Sequence, residues 1–257
     1  MSTVHGGQGN IVTDGLVLWF DAANPRSYPP PYNGTTWRDL SVSGSNGTLT
    51  NGPIFDSATG GSIVFDGTND YNTVGNLYND VIAGAGKQFT TSCVFFPTTS
   101  SNQMLYGKYS DGANGENGRA YGVFARDIGA GFKLDVLFNR NLSRGDNAAV
   151  VRSDTTLTLN AINMIDVTYD DTQTTSLGKV NIYINGVLSA KTIPIAGEFG
   201  SIASGPALFS LGASVASTGA TAYPYKGNIY TFRLYNRLLS ASEISRNYNA
   251  TRARFNI

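Results

Sequence analysis

Apolar residues along this chain fall in short runs, most alternating with polar positions, and nearly every run is closed by Gly, Asn, Asp or Pro. Leu16-Val17-Leu18-Trp19-Phe20 is the first. Ser62 to Phe65, Phe89 to Phe96, Gln103 to Tyr106, Tyr121 to Ala125 and Phe132 to Phe138 follow. A side-chain period of two is the mark of a strand, because successive Cβ atoms leave opposite faces of the pleat. Ile162 to Tyr169 shows it at length: Ile162, Met164, Asp166 and Thr168 point one way, and Asn163, Ile165, Val167 and Tyr169 the other. Asn185-Gly186, between Val180–Ile184 and Val187–Ala190, predicts a two-residue type I′ hairpin, since both central positions of that turn need a positive φ. Ala207 to Gly212 and Tyr225 to Tyr235 supply the last strands. Strands at this spacing, without helices between them, predict an antiparallel sandwich or barrel.

One helix is predicted near the C-terminus. Ser240 can cap it and Glu243 lies three residues on, the spacing of a capping box. Ile244 and Tyr248, four apart, give it an apolar face, expected to pack on the edge of the sandwich. Residues 1–13 read as a polar, Gly-rich, flexible arm, and residues 14–257 as one domain. Pro29-Pro30-Pro31, within residues 25–34, predicts an extended loop.

Composition narrows the function. Charged residues make up 14% of the 257, against about 25% in an average chain. Lys+Arg and Asp+Glu each total 18, so no basic excess exists to neutralise phosphates, and nucleic-acid binding is not expected. Arg126, Arg140, Arg144 and Arg152, interspersed with Asp127, Asp135, Asp146 and Asp154, read as mixed, solvated strand edges. Cys93 is the single cysteine and sits in an alternating strand, so it is expected to be buried and inert, with no intrachain disulfide. No apolar run is long enough to cross a bilayer, and the N-terminus lacks the charged start and apolar stretch of a secretory signal. His5, the one histidine, lies in the arm, which argues against a Ser-His-Asp relay and against zinc.

Four stretches, in order, resemble the laminin-G-like, concanavalin A-like lectin/glucanase superfamily: Gly15 to Ala22, Ser62 to Tyr71, Tyr183-Ile184-Asn185-Gly186, and Gly227-Asn228-Ile229-Tyr230 through Leu238 to Ile244. The resemblance implies an all-β jelly-roll sandwich of two antiparallel sheets with a short C-terminal helix. Asn10 to Leu16, Asp21 to Pro25, Thr35 to Leu40 with Asn46 to Leu49, and Asn247 to Arg252 also resemble domains of tailed-phage virion proteins, especially of cyanophages. That implies a non-enzymatic structural protein of the particle: capsid decoration, fibre or tail appendage. It would be made in the host cytoplasm, form a homo-oligomer and dock on other virion proteins.

The alternative expectation is a carbohydrate-binding module for host-surface polysaccharide. Sugars bind aromatic platforms rimmed by amides, and Tyr106, Tyr109, Asn114, Asn117 and Tyr121 cluster in sequence around one Gly-rich loop, with Tyr223 and Tyr225 near another. Some superfamily members bind calcium at the rim. Asp66, Asn69 and Asp70 have the hard oxygen donors for it, although the same side chains suit ordinary turn-capping. Superfamily glucanases place their carboxylates on one strand as Glu-x-Asp-x-x-Glu. Here Glu116, Glu198 and Glu243 stand apart, so no enzyme is expected. Asp166, mid-strand among apolar neighbours, reads as a hydrogen-bonded structural residue.

Overall fold

The computed structural model describes residues 10–110, 118–139, 148–196 and 200–257, and two antiparallel sheets dominate it. The eight-stranded sheet runs Val187–Leu188, Val180–Ile184, Asn163–Asp170, Gln88–Pro97, Lys226–Tyr235, Ser62–Asp66 and Ile54–Asp56, with Leu16–Asp21 also paired to Lys226–Tyr235. The nine-stranded sheet runs Lys191–Ile195, Ala148–Thr156, Phe132–Asn139, Tyr121–Asp127, Gln103–Lys108, Phe209–Leu211, Tyr71–Thr73, Gly47–Thr50 and Thr36–Trp37. Their inner faces enclose one core, to which Phe95, Ile165, Val167 and Phe232 contribute from one side and Leu105, Val123, Val136 and Val151 from the other. This is the expected jelly-roll sandwich.

Local expectations hold where local chemistry decides. Asn185 and Gly186 take φ of 51° and 77°, the positive pair of a type I′ turn. Cys93 is buried in the core, where burial pushes its thiol pKa up, so a reactive thiolate is disfavoured. The C-terminal helix spans Ala241–Phe255 with both bonds of the capping box in place: the Ser240 hydroxyl accepts from the Glu243 amide at 3.3 Å, and the Glu243 carboxylate from the Ser240 amide at 2.9 Å.

The position of that helix differs from expectation. It lies across the outer face of the eight-stranded sheet rather than at the sandwich edge. Ile244 packs with Tyr183, Tyr235 and Leu239, and Phe255 with Val94, Met164 and Tyr230. Those outward side chains are too apolar to be left in water, and the helix covers them. Residues 10–13 of the expected arm are tied to the same helix: the Val12 amide donates to the Asn247 side-chain oxygen at 2.8 Å, and Val12 is itself buried. His5 lies outside the described residues. No helix among the described residues is long and apolar enough to cross a membrane.

Candidate functional site

Ile54–Asp56 is the last strand of one sheet and Thr36–Trp37 the last strand of the other. The loop bearing the three prolines lies beside the Ile54–Asp56 strand. The Tyr28 hydroxyl donates to the Gly34 carbonyl at 2.6 Å, and the Tyr32 amide to the Pro29 carbonyl at 3.1 Å, which closes the loop on itself. From the other side, Asn51 and Gly52, with φ of 70° and 110°, turn the chain from Gly47–Thr50 into Ile54–Asp56. The Asn51 side-chain amide donates to the Asn69 carbonyl at 2.8 Å, which anchors that turn.

Between the two segments is a cleft of about 410 Å³. Its wall is aromatic. The Tyr32 and Phe55 rings stack nearly parallel, 4.4 Å between centroids and 12° between planes, and Tyr28 packs 5.7 Å from Phe55. Ile54 adds an exposed apolar flank, 64% accessible. Asn33, Thr35 and Asn51 supply the polar rim. Among the described residues, the side chains of Tyr32, Asn33 and Thr35 have no hydrogen-bond partner, so their donors and acceptors face solvent. No residue of the lining is charged at neutral pH. Burial raises the Tyr28 hydroxyl pKa further. The chemistry on offer is stacking against an apolar face plus neutral hydrogen bonding.

The residues expected to bind glycan do not form this site. Tyr106 and Tyr121 are fully buried, and the Thr91 hydroxyl bonds both of their hydroxyls, at 2.9 and 3.2 Å. Strand alternation turns these rings into the core, so they cannot serve as a sugar platform. Tyr109 is on the other side of the nine-stranded sheet, edge-on to Phe124 at 5.1 Å and almost wholly buried. Asn114 and Asn117 lie outside the described residues. Tyr225 is buried in the core, whereas Tyr223 is partly exposed beside Phe124.

The Asp66–Asp70 loop is a turn held by its own side chains. Asp66 accepts from the Thr68 amide at 2.7 Å and Asp70 from the Asp66 amide at 3.0 Å, while the Asn69 carbonyl is taken by Asn51. Asp70 is buried, and burial raises its pKa against the opposing amide bond. Each of the two carboxylates thus accepts from a local amide, as turn-capping side chains do. Among the described residues no three His, Cys, Asp or Glu side chains come together as a metal site.

Of the other carboxylates singled out in the sequence, Glu243 and Asp166 lie away from the cleft. Glu243 is forked by Arg237 at 2.7 and 3.0 Å, which holds its pKa down at about 2. A carboxylate ionised that firmly is a poor general acid. Glu116 and Glu198 lie outside the described residues. Asp166 is fully buried on the outer side of its strand, away from the cleft. Burial lifts its pKa to about 7, opposed by Ser92 and the Arg233 charge, yet neither oxygen reaches a partner at full hydrogen-bond geometry. Asp166 is thus a buried acid whose polar neighbours are Ser92 and Arg233.

Arg126 and Arg152 are likewise not edge residues. Asp135, on the central Phe132–Asn139 strand, lies opposite Phe124 on one side and Arg152 on the other, and it is buried. Arg152 forks it with bonds of 2.6 and 2.8 Å, which raises the Arg152 pKa. Arg140, Arg144 and Asp146 lie outside the described residues.

A family model described as concanavalin A-like lectin/glucanases superfamily matches residues 66–245. No curated protein sequence matches the chain. Among solved structures, domain 4 of AbnA, a GH43 extracellular arabinanase from Geobacillus stearothermophilus determined with arabinotriose, aligns over 93% of this chain and 100% of that one. The identity is 15% and the TM-score 0.60. The botulinum neurotoxin serotype G binding domain aligns over 91% and 50%, at 15% identity and a TM-score of 0.60. A mutant Trypanosoma rangeli sialidase displaying trans-sialidase activity aligns over 96% of this chain but 34% of its own, at 17% identity and a TM-score of 0.58. At these identities the likeness concerns the fold.

Proposed function

Because the chain belongs to the concanavalin A-like lectin/glucanase superfamily, whose model spans residues 66–245, we propose that it is a non-catalytic carbohydrate-binding domain with its ligand site in the edge cleft. One observation carries the reading: the stacked Tyr32–Phe55 wall faces solvent beside Asn33 and Thr35, whose polar groups have no partner among the described residues. A pyranose or furanose ring presents a C–H face and a ring of hydroxyls, and this cleft matches both. The arabinanase domain that shares the fold was determined with arabinotriose, which agrees with such a use of the sandwich.

Hydrolysis is not part of the proposal. Glycoside cleavage needs two carboxyl groups flanking the bond, and the cleft lining has none. No metal is invoked, since the same lining has no carboxylate to hold one.

The test is a panel of neutral oligosaccharides, arabinans and glucans included, titrated calorimetrically into the protein and into a Tyr32→Ala variant. Binding by the parent and its loss in the variant are expected. A parent protein that binds none of a broad neutral panel would sink the reading.

A place on a phage particle is the second reading, and it rests on the sequence resemblance of residues 10–16, 21–25, 35–40, 46–49 and 247–252. Several of these stretches meet in the fold: Arg254 Nη1, just past the last of them, donates to both Asp21 oxygens at 2.8 and 3.0 Å, and the Asn247 side chain accepts from the Val12 amide at 2.8 Å. Both contacts join the N-terminal part of the chain to the C-terminal helix. On a particle, the cleft would adsorb host polysaccharide. Finding the protein in purified virions by mass spectrometry is the expected result, and its absence from them would end this reading.

A further inference from the structure

We propose that the outer face of the nine-stranded sheet is a second saccharide site, selective for a carboxylate-bearing sugar, with Arg126 as its anchor. The face is defined by strand register. Arg126 lies opposite Lys133 across the Tyr121–Asp127 and Phe132–Asn139 pair, and Asp135 lies opposite Phe124 and Arg152. Their neighbours Val123, Ala125, Leu134 and Val136 belong to the core, so Phe124, Arg126, Lys133, Asp135 and Arg152 all leave on the other side. Three cations therefore share one face with a single buried carboxylate.

That carboxylate is already satisfied. Arg152 occupies both Asp135 oxygens. Arg126 reaches Asp135 only through Nε, at 3.4 Å, an ion-pair distance without hydrogen-bond geometry, and its Nη atoms have no hydrogen-bond partner among the described residues. The guanidinium is about a quarter exposed and lies over aromatic rings, 4.8 Å from the Phe124 centroid and 5.9 Å from that of Tyr223. The rings flank the guanidinium and leave its two terminal nitrogens for a planar, two-oxygen anion.

A carboxylate fits that fork in bidentate fashion. Tyr223 is partly exposed and meets Phe124 edge-on at 5.5 Å, so an aromatic surface borders the fork where the rest of the sugar would lie. A free carboxylate would use the fork alone, whereas an acidic sugar uses the fork and the ring beside it. The surplus positive charge would draw an anionic chain and repel a cationic one. This site is separate from the edge cleft, and neither depends on the other.

The test uses a galacturonic acid trimer, its methyl ester and free acetate, titrated into the parent protein, Arg126→Gln, Arg126→Lys and the cleft variant Tyr32→Ala. The acid trimer should bind the parent roughly tenfold or more tighter than its ester, as expected for a lost charge-assisted pair. Arg126→Gln should remove that preference, and Arg126→Lys should restore only part of it, since an ammonium is not a fork. Tyr32→Ala should leave it unchanged. Unchanged melting of Arg126→Gln would show that the loss is local, as expected when Arg152 still holds Asp135. The proposal is overturned if acid and ester bind alike, if Arg126→Gln keeps the preference, if the parent binds neither trimer, or if acetate competes as well as the trimer.

Discussion

The edge cleft at Tyr32 and the sheet face at Arg126 are both aromatic, yet their polar chemistry is opposite. In the cleft, stacked rings stand beside amides and hydroxyls, with no group charged at neutral pH. On the face, the rings support a guanidinium beside a buried ion pair. The difference follows from position in the fold. The cleft is built by the proline loop and the Ile54–Asp56 strand with its turn, where neutral side chains suffice to close backbone turns. The face lies mid-sheet, where a buried carboxylate such as Asp135 must be paired, and the cations that gather around it leave one guanidinium unmatched. One sandwich can thus present a neutral and an anionic specificity without the two interfering.

The strongest way to break this comparison is Tyr32→Ala, which removes half of the cleft's stacked wall. Truncating a central aromatic contact is expected to cost roughly 30-fold in affinity for a neutral oligosaccharide, with acid-trimer binding untouched in calorimetry. A parallel fall in both would show that the regions are not independent. Asn33→Ala combined with Thr35→Ala should cost less, about five- to tenfold, because the two together remove hydrogen bonds worth about 1 kcal/mol net without touching the wall. Salt sharpens the contrast more gently. Raising it from about 0.05 M to about 0.5 M should weaken acid-trimer binding several-fold and leave neutral binding within about twofold, since screening acts only on charge.

The smallest effect on either site, but a measurable one on the whole molecule, comes from Asp166. Its folded pKa of about 7 exceeds the ordinary 3.8, so the native state holds a proton that the unfolded chain releases. Stability from this group is complete below the unfolded value and is lost as pH rises through about 7, on the order of a few kcal/mol. Arg233, Ser92, Cys93 and Tyr183 surround it, and of these Ser92, by its hydroxyl, and Arg233, by its charge, favour the ionised form without overcoming burial. In thermal melts from about pH 5 to about pH 9, the parent should lose stability with rising pH and Asp166→Asn should lose much less. Both proteins should bind both sugars alike while folded. A flat parent profile would refute the assignment.

How much of this was legible in the sequence depends on the range of the forces involved. The Asn185-Gly186 turn and the Ser240–Glu243 box could be read because each is settled within four residues. The helix was legible but its seat was not. Half of its buried face is Asn247 and Thr251, which no apolar period reveals, and the side chains it covers come from strands far away in sequence. The tyrosines around 106–121 misled because abundance does not say which way a ring points: the strands turn Tyr106 and Tyr121 inward. Tyr28 and Tyr32, flanking the three prolines, were the available sign of the cleft, but their partner Phe55 is supplied by the strand Ile54–Asp56, after a separate turn.

The order of strands and turns, the capped terminal helix and the superfamily resemblance were therefore set by sequence alone, because period, φ preference and capping act between near neighbours. Which rings reach solvent, that Tyr32 stacks on Phe55, and that Asp135 sits between two arginines were decided only by the tertiary structure. Those contacts depend on strand register and on where a loop docks against a strand. Register and docking minimise the free energy of the whole core rather than of any short segment.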